Sequence, residues 1–366
     1  MRYYIIAGEA SGDLHGSNLI KTIIKKDPQA VIHCWGGDLM ESAGGTIIKH
    51  YRELAFMGFI EVIKNLGTIL RNISFCKKDI LSFQPDVLVL IDYPGFNLRI
   101  AKWAKANRLK VFYYISPQVW AWKANRVKEM KNNIDKMFVI LPFEKKYFME
   151  EWNWEVDYVG HPLIEAIEEY KSRKKEALPF NKPVIALLPG SRQQEIRVKL
   201  PVMLSITKYF PDYDFVIAKA PGIEESFYDE MISPFGNVHY VVNQTYHLLN
   251  LATAALVTSG TATLETALFK VPQVVCYKGN KISFEIARRI IKVRYISLVN
   301  LIMDKPVIKE LIQDQLTTQN LTTELRNILP GGSAREQIIK DYYELENLLK
   351  STSKASDLVA EKIIHF

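Results

Sequence analysis

Short apolar runs that end in glycine, proline or an acidic residue recur along the chain, separated by stretches with helical spacing, and this pattern predicts alternating strands and helices. The first run covers residues 3 to 7. A glycine-rich turn from Gly8 to Gly12, a helix over about residues 14 to 26 and a strand over 31 to 35 follow it, which is a βαβ start. Ile60, Ile63, Leu66, Leu70 and Ile73 recur close to a 3.6-residue period and predict a long helix that stops before Gln84-Pro85. Residues 87 to 91 are apolar at every position, the signature of a strand in the middle of a parallel sheet with both faces covered. Further strands are predicted at 111 to 115, 137 to 141 and 156 to 159, so the first half reads as a doubly wound parallel sheet. The charged, proline-bearing stretch KSRKKEALPFNKP then marks a linker, with the boundary between about 163 and 182. Alternation restarts with strands at 184 to 188, 215 to 218, 254 to 258 and 273 to 276, and from Glu310 onward the pattern is helical. The expectation is two α/β domains, 1–170 and 171–350, facing each other across a cleft, with a last helix in 351–366 crossing back to the first domain.

A length of 366 residues agrees with two domains at about 150 residues each. Cys34, Cys76 and Cys276 lie far apart in or beside apolar runs, as buried thiols and not as a disulfide set or a zinc site. The N-terminal apolar run is too short for a signal sequence, so a cytoplasmic protein is expected. Residues 231–264 carry no Lys, Arg, Asp or Glu, but polar residues interrupt them throughout and no run reaches the ~18 apolar residues of a spanning helix. The net charge of +7 is concentrated. Between Arg99 and Lys146 twelve Lys or Arg stand against Glu129, Asp135 and Glu144, with Trp103, Trp120 and Trp122 among them, a combination that fits an anionic membrane surface or nucleic acid. Gly8, Gly12 and Gly16 are spaced by four, which is not a dinucleotide fingerprint and argues against a nicotinamide or flavin enzyme.

Asp92 follows the central strand directly and precedes a Tyr-Pro-Gly turn. In open parallel sheets ligands bind outside the carboxyl ends of the strands, so a carboxylate there can act as a general base. The same residue also suits a turn former, and the pattern alone leaves both uses open. In the second half, residues 184–188 run into Pro189-Gly190-Ser191-Arg192, where Ser191 and Gln194 fit a capping box. A helix N-terminus with a glycine and an Arg beside it suits a phosphate. Ser259-Gly260-Thr261 makes a second such turn, with Glu265 in the first turn of its helix as an acceptor for ribose hydroxyls or a complement to the helix dipole. Together the two turns fit a nucleoside diphosphate. Asp212-Tyr213-Asp214 has the D-x-D spacing that can hold a metal, but it follows Pro211 and leads into a strand, so it reads as a turn. The seven histidines show no metal-ligand spacing; His15 and His161 are the two placed to touch a ligand, His161 more as a structural residue before Pro162.

The segments AGEASGDLHG at 7–16, ELAFMGFIEV at 53–62, IDYPGFN at 91–97, YISPQVWAWK at 114–123, LPFE at 141–144, VGHPL at 159–163, LLPGSR at 187–192, SGTATLE at 259–265 and SLVNLI at 297–302 together resemble the lipid-A-disaccharide synthases over nearly the whole length. The resemblance implies a GT-B fold of two Rossmann-like domains and an inverting, metal-independent transfer from UDP-diacylglucosamine to diacylglucosamine 1-phosphate, with release of UDP and no cofactor. It assigns Asp92 as general base, and Gly190, Ser191, Arg192, Ser259, Gly260, Thr261 and Glu265 to the nucleotide sugar. Glu9, Ser11, Gly12, Asp13, His15, Asn300 and Glu310 are carried over more loosely to acceptor or donor sugar. For the lipid, Phe56, Met57 and Phe59 with Ile60 and Ile63 suit an acyl surface or an ordinary helix face, and Trp120, Trp122, Lys123, Arg126 and Lys128 suit docking on the inner membrane. A homodimer is compatible with this reading, and no nucleic acid is expected. The competing readings are a UDP-N-acetylglucosamine epimerase of the same fold and a non-catalytic basic module.

Overall fold

The computed structural model describes residues 1–54, 66–172, 179–220, 222–280, 284, 285, 288, 289 and 293–366. Its contacts divide into two compact units, Met1–Pro162 with Leu349–Phe366, and Leu163–Leu348.

In the first unit the strands are β1 (Arg2–Ala7), β2 (Val31–Gly36), β3 (Thr46–His50), β4 (Val87–Ile91), β5 (Val111–Tyr114), β6 (Lys136–Val139) and β7 (Asp157–Tyr158). They form one sheet in the order β3-β2-β1-β4-β5-β6-β7, with neighbouring strands parallel. Alternate side chains leave opposite faces of a strand, and here both faces are apolar. Tyr4, Ile6, Leu88 and Leu90 enter one core layer with Trp35, while Tyr3, Ile5, Ala7, Val87, Val89 and Ile91 enter the other. The full burial of β4 follows from this central place. The last helix, Ala355–Ile364, buries Val359, Ala360 and Ile363 in the second layer beside the helix Ala10–Lys26. Thr22 Oγ1 donates to Ser356 Oγ at 3.2 Å across that contact.

The second unit holds β8 (Val184–Leu188), β9 (Asp214–Lys219), β10 (Val238–Val242), β11 (Ala252–Val257), β12 (Gln273–Tyr277) and β13 (Lys309–Ile312), also parallel, in the order β10-β9-β8-β11-β12-β13. β13 corrects the expectation of helix from Glu310 onward: Glu310 pairs beside Val275 of β12 at the sheet edge. Four residues are too few to display a strand period against the helices that follow. Of the predicted long helix, Leu66–Phe83 is observed; positions 60 and 63 lie outside the described residues. Among the described residues no helix is long and apolar enough to cross a membrane.

Strand order reverses between β1 and β4 in one sheet and between β8 and β11 in the other. At such a switch point the connections leave in opposite directions and open a crevice at the strands' carboxyl ends, where ligands bind. The residues at those four strand ends are therefore Gly8-Glu9, Asp92, Pro189 to Arg192, and Thr258 to Thr261.

Candidate active site

Asp92 leaves β4 in an unusual backbone state. Asp92 and Tyr93 are both left-handed, with φ of 42° and 50°, a conformation that costs about 1–3 kcal/mol per non-glycine residue and persists only where its surroundings enforce it. Those surroundings are visible. The Asp92 carbonyl accepts from Asn97 Nδ2 at 2.8 Å and from the Tyr113 hydroxyl at 2.6 Å, and its N–H donates to the Tyr114 carbonyl at 3.0 Å. Asn97 is fully buried and also donates to the Ile91 carbonyl at 3.2 Å. The Tyr93 ring lies on the backbone of Gly8, where a Cβ would fall 2.4 Å from the ring; only glycine admits that approach. The main chain of Asp92 is held while its half-buried carboxylate stays available. Burial pushes that carboxyl up to about 7, the charge of Glu9 adds to the shift, and the Tyr93 N–H opposes it. A carboxylate poised near neutral pH is what proton removal at that pH requires.

Glu9 caps the helix Ala10–Lys26, its carbonyl accepting from the Asp13 N–H at 2.9 Å. Ser11 is exposed in the first turn, and Gly12 packs tightly on β1, a Cβ there lying 3.0 Å from that of Ala7. The structure gives Asp13 another task than the sugar contact expected of it. Its carboxylate is buried and accepts from the backbone N–H groups of Gly37 at 2.7 Å, Met40 at 3.1 Å and Leu39 at 3.2 Å, fixing the start of the helix Asp38–Ser42. His15 is buried as well, and burial lowers it to about 4. His161, lowered to about 3 by burial and by His15, completes a pair of neutral imidazoles inside the fold.

Trp120 and Trp122 part company. The Trp120 indole N–H donates to Glu144 Oε1 at 3.1 Å, and Glu144 is buried, its other oxygen accepting from the N–H groups of Leu141 at 2.9 Å and Ile140 at 3.2 Å. A half-buried indole with a dedicated acceptor is part of the fold, which corrects its expected place on a docking surface. Burial raises Glu144 to about 7, with the charge of Asp92 a smaller contribution. Trp122 is 44% exposed, with Lys123 Nζ 4.2 Å and Arg126 Cζ 5.8 Å from its ring centre. Lys128 is exposed. Elsewhere in the basic stretch the charge is partly spent, as in Lys102–Glu129 at 3.0 Å and Lys136–Asp157 at 3.2 Å.

In the second unit Gly190 turns with φ 125°, and the helix Gln193–Leu204 starts behind it. Its N-cap is Arg192 and not Ser191, with no side-chain cap bond, so the expected capping box does not form. Ser191 stands one residue too early for it. The Arg192 side chain is exposed and lies 3.7 Å from Glu195. After β11, Gly260 turns with φ 119° and caps the helix Thr261–Leu268. Glu265 is the fifth residue of that helix, past the first turn, which weakens a dipole role. Its half-buried carboxylate accepts from the Tyr246 hydroxyl at 3.0 Å, and burial raises its pKa. Asn300 and Glu310, loosely expected at a sugar, bond each other at 3.0 Å and the local backbone. Asn300 exchanges bonds with Ile308, and Glu310 accepts from the N–H groups of Ser297 at 2.9 Å and Ile296 at 3.1 Å. They tie the helix Leu298–Met303 to β13. Phe56, Met57 and Phe59 lie outside the described residues. Among the described residues no three His, Cys, Asp or Glu side chains converge as metal ligands.

The family profile described as lipid-A-disaccharide synthetase matches residues 3–364. The chain belongs to that family. Curated relatives named lipid-A-disaccharide synthase include one from Coxiella burnetii (strain CbuG_Q212), 36% identical over 99% of this chain and 97% of that protein, and one from Syntrophus aciditrophicus (strain SB), 38% identical over 94% and 92%. Membership of the lipid-A-disaccharide synthetase family makes the chain a glycosyltransferase of lipid A biosynthesis. Among solved structures it is similar in fold to the UDP-GlcNAc 2-epimerase of Neisseria meningitidis, with TM-score 0.71 and 15% identity over all of both chains. It is also similar to CalG4, the calicheamicin glycosyltransferase, with TM-score 0.61 and 13% identity over 100% and 97%.

Several residues that hold the candidate site residues are not singled out by the sequence pattern. Asn97 and Tyr113 hold Asp92 through their side chains, and Tyr246 reaches Glu265 from another helix. Asn97 stands in the same helical turn pattern as its neighbours, and Tyr113 sits in a strand where an aromatic is ordinary. Their side-chain contacts appear only in the folded structure.

Proposed function

We propose that the chain transfers diacylglucosamine from its UDP derivative to diacylglucosamine 1-phosphate, with inversion at the anomeric carbon and release of UDP. The observation that carries the reading is Asp92: a carboxylate at the switch point of the first sheet, with its backbone clamped and its pKa raised to about 7. Asp92 takes the proton from the acceptor hydroxyl as that oxygen attacks the anomeric carbon. Charge then develops on the departing diphosphate. Arg192 and the N-termini of the helices Gln193–Leu204 and Thr261–Leu268 offset it, and Glu265 accepts from the ribose hydroxyls. Incubating the protein with the two lipid sugars and measuring free UDP and disaccharide tests the reading directly. Absence of both products at catalytic protein concentrations would sink it.

With cationic stabilisation supplied by the chain itself, turnover persists in excess EDTA. A loss restored by magnesium would overturn this and direct attention to Asp212 and Asp214.

Both substrates are amphiphiles, so we place the enzyme at the cytoplasmic face of an anionic membrane, through exposed Trp122 with Lys123, Arg126 and Lys128. Basic groups contribute about 1 kcal/mol each near anionic lipid, and an exposed indole favours the headgroup region. The protein co-sediments with anionic vesicles at low salt and is released at high salt, whereas a variant neutralised at Lys123, Arg126 and Lys128 stays in solution. Equal binding by the two proteins would exclude this surface.

A further inference from the structure

Lys199 has no part in the reaction as described, yet its side chain is almost wholly buried in the helix Gln193–Leu204, two helical turns beyond Arg192. A buried ammonium group is unfavourable unless charge and hydrogen bonds meet it. Here they come from Glu195, one turn earlier in the same helix, and from Thr258, at the end of β11. Lys199 Nζ donates to Thr258 Oγ1 and lies 3.4 Å from Glu195 Oε2. Thr258 follows β11, donates its N–H to the Leu188 carbonyl at 2.9 Å, and leads directly into Ser259-Gly260-Thr261. Glu195 lies against the other turn: a Cβ on Gly190 would fall 2.6 Å from its Oε2, and its Oε1 is 3.7 Å from Arg192 Nη1. One ammonium group therefore joins the turn after β8 to the turn after β11.

We propose that Lys199 is a positioning residue that locks these two turns into a single cradle for the donor's diphosphate. The proposal rests on the reading that Gly190 to Arg192 and Ser259 to Thr261 hold UDP. Free N–H groups of two separate helices can address one diphosphate only if the turns keep a fixed spacing, and the Glu195–Lys199–Thr258 chain supplies it from below. Burial lowers the Lys199 pKa; Glu195 and Cys276 oppose that shift and Arg192 adds to it. Burial pushes up both the Cys276 thiol and the Tyr277 phenol on the neighbouring strand. UDP affinity accordingly declines on the alkaline side at a lower pH than an ordinary lysine would produce.

The test is UDP binding by calorimetry to the full chain across neutral to alkaline pH, for the wild type, Lys199→Met, Thr258→Val and Arg192→Ala. Lys199→Met weakens UDP by about tenfold, the scale of one charge-assisted bond, and removes the alkaline decline, while Thr258→Val weakens it in the same direction. Unchanged affinity and an unchanged alkaline decline in Lys199→Met, with Arg192→Ala impaired, overturn the positioning role alone. Unchanged affinity in Arg192→Ala places the diphosphate elsewhere and removes the reading on which the role rests. Should Lys199→Met fail to fold, Thr258→Val, which loses one hydroxyl and keeps its shape, decides: full UDP affinity in that variant overturns the proposal.

Discussion

Asp92→Asn lowers turnover by at least about a hundredfold, the scale of a lost general base, and leaves UDP affinity as it was. The amide matches the carboxylate in shape, and the backbone clamp from Asn97 and Tyr113 acts on the main-chain carbonyl, so the local fold survives the change. The pH profile gives an independent check. Asp92 must be ionised to accept a proton, and burial with the charge of Glu9 raises it to about 7. The wild-type kcat/KM thus falls by about tenfold per unit as pH drops below about 7, and rises to a plateau above it. In Asp92→Asn the residual rate has no such acid limb. Near-normal turnover in the variant, or an acid limb that persists unchanged, removes Asp92 from the proton transfer.

Arg192→Ala weakens UDP by roughly 10- to 150-fold, the equivalent of about 1.5–3 kcal/mol for a charge-assisted contact to phosphate. Arg192 caps the helix Gln193–Leu204 at the carboxyl end of β8 with an exposed side chain beside Glu195, so its removal leaves no buried cavity. The loss concerns the diphosphate and not the nucleoside. Uridine affinity therefore stays near the wild-type value while UDP affinity falls, a pattern that general unfolding of the second unit does not produce. Arg192→Lys restores part of the loss, since a lysine supplies the charge without the two-pronged geometry. Equal UDP affinity in wild type and Arg192→Ala would place the diphosphate at another turn.

The amino-acid sequence by itself determined the local features of this enzyme. Fully apolar runs such as residues 87–91 and 184–188 mark strands buried on both faces, because only a central parallel strand has no polar side. The turns that follow them are equally legible, since Gly190 and Gly260 at φ 125° and 119° take a backbone state that glycine alone adopts readily. Asp92 was legible as a residue at a strand end. That its carboxyl is raised to about 7 was not, because the shift arises from burial by the surrounding chain and from Glu9, 83 residues earlier in the sequence. The order of strands lies likewise beyond periodicity: each run reports its own burial and nothing of its neighbour, so the reversals between β1 and β4 and between β8 and β11 emerge only from pairing. Asp13, Glu144, Asn300 and Glu310 show the same limit from the other side. Each spends its side chain on distant or neighbouring backbone groups of its own unit, because a buried polar atom must find a partner and the fold decides which one is within reach.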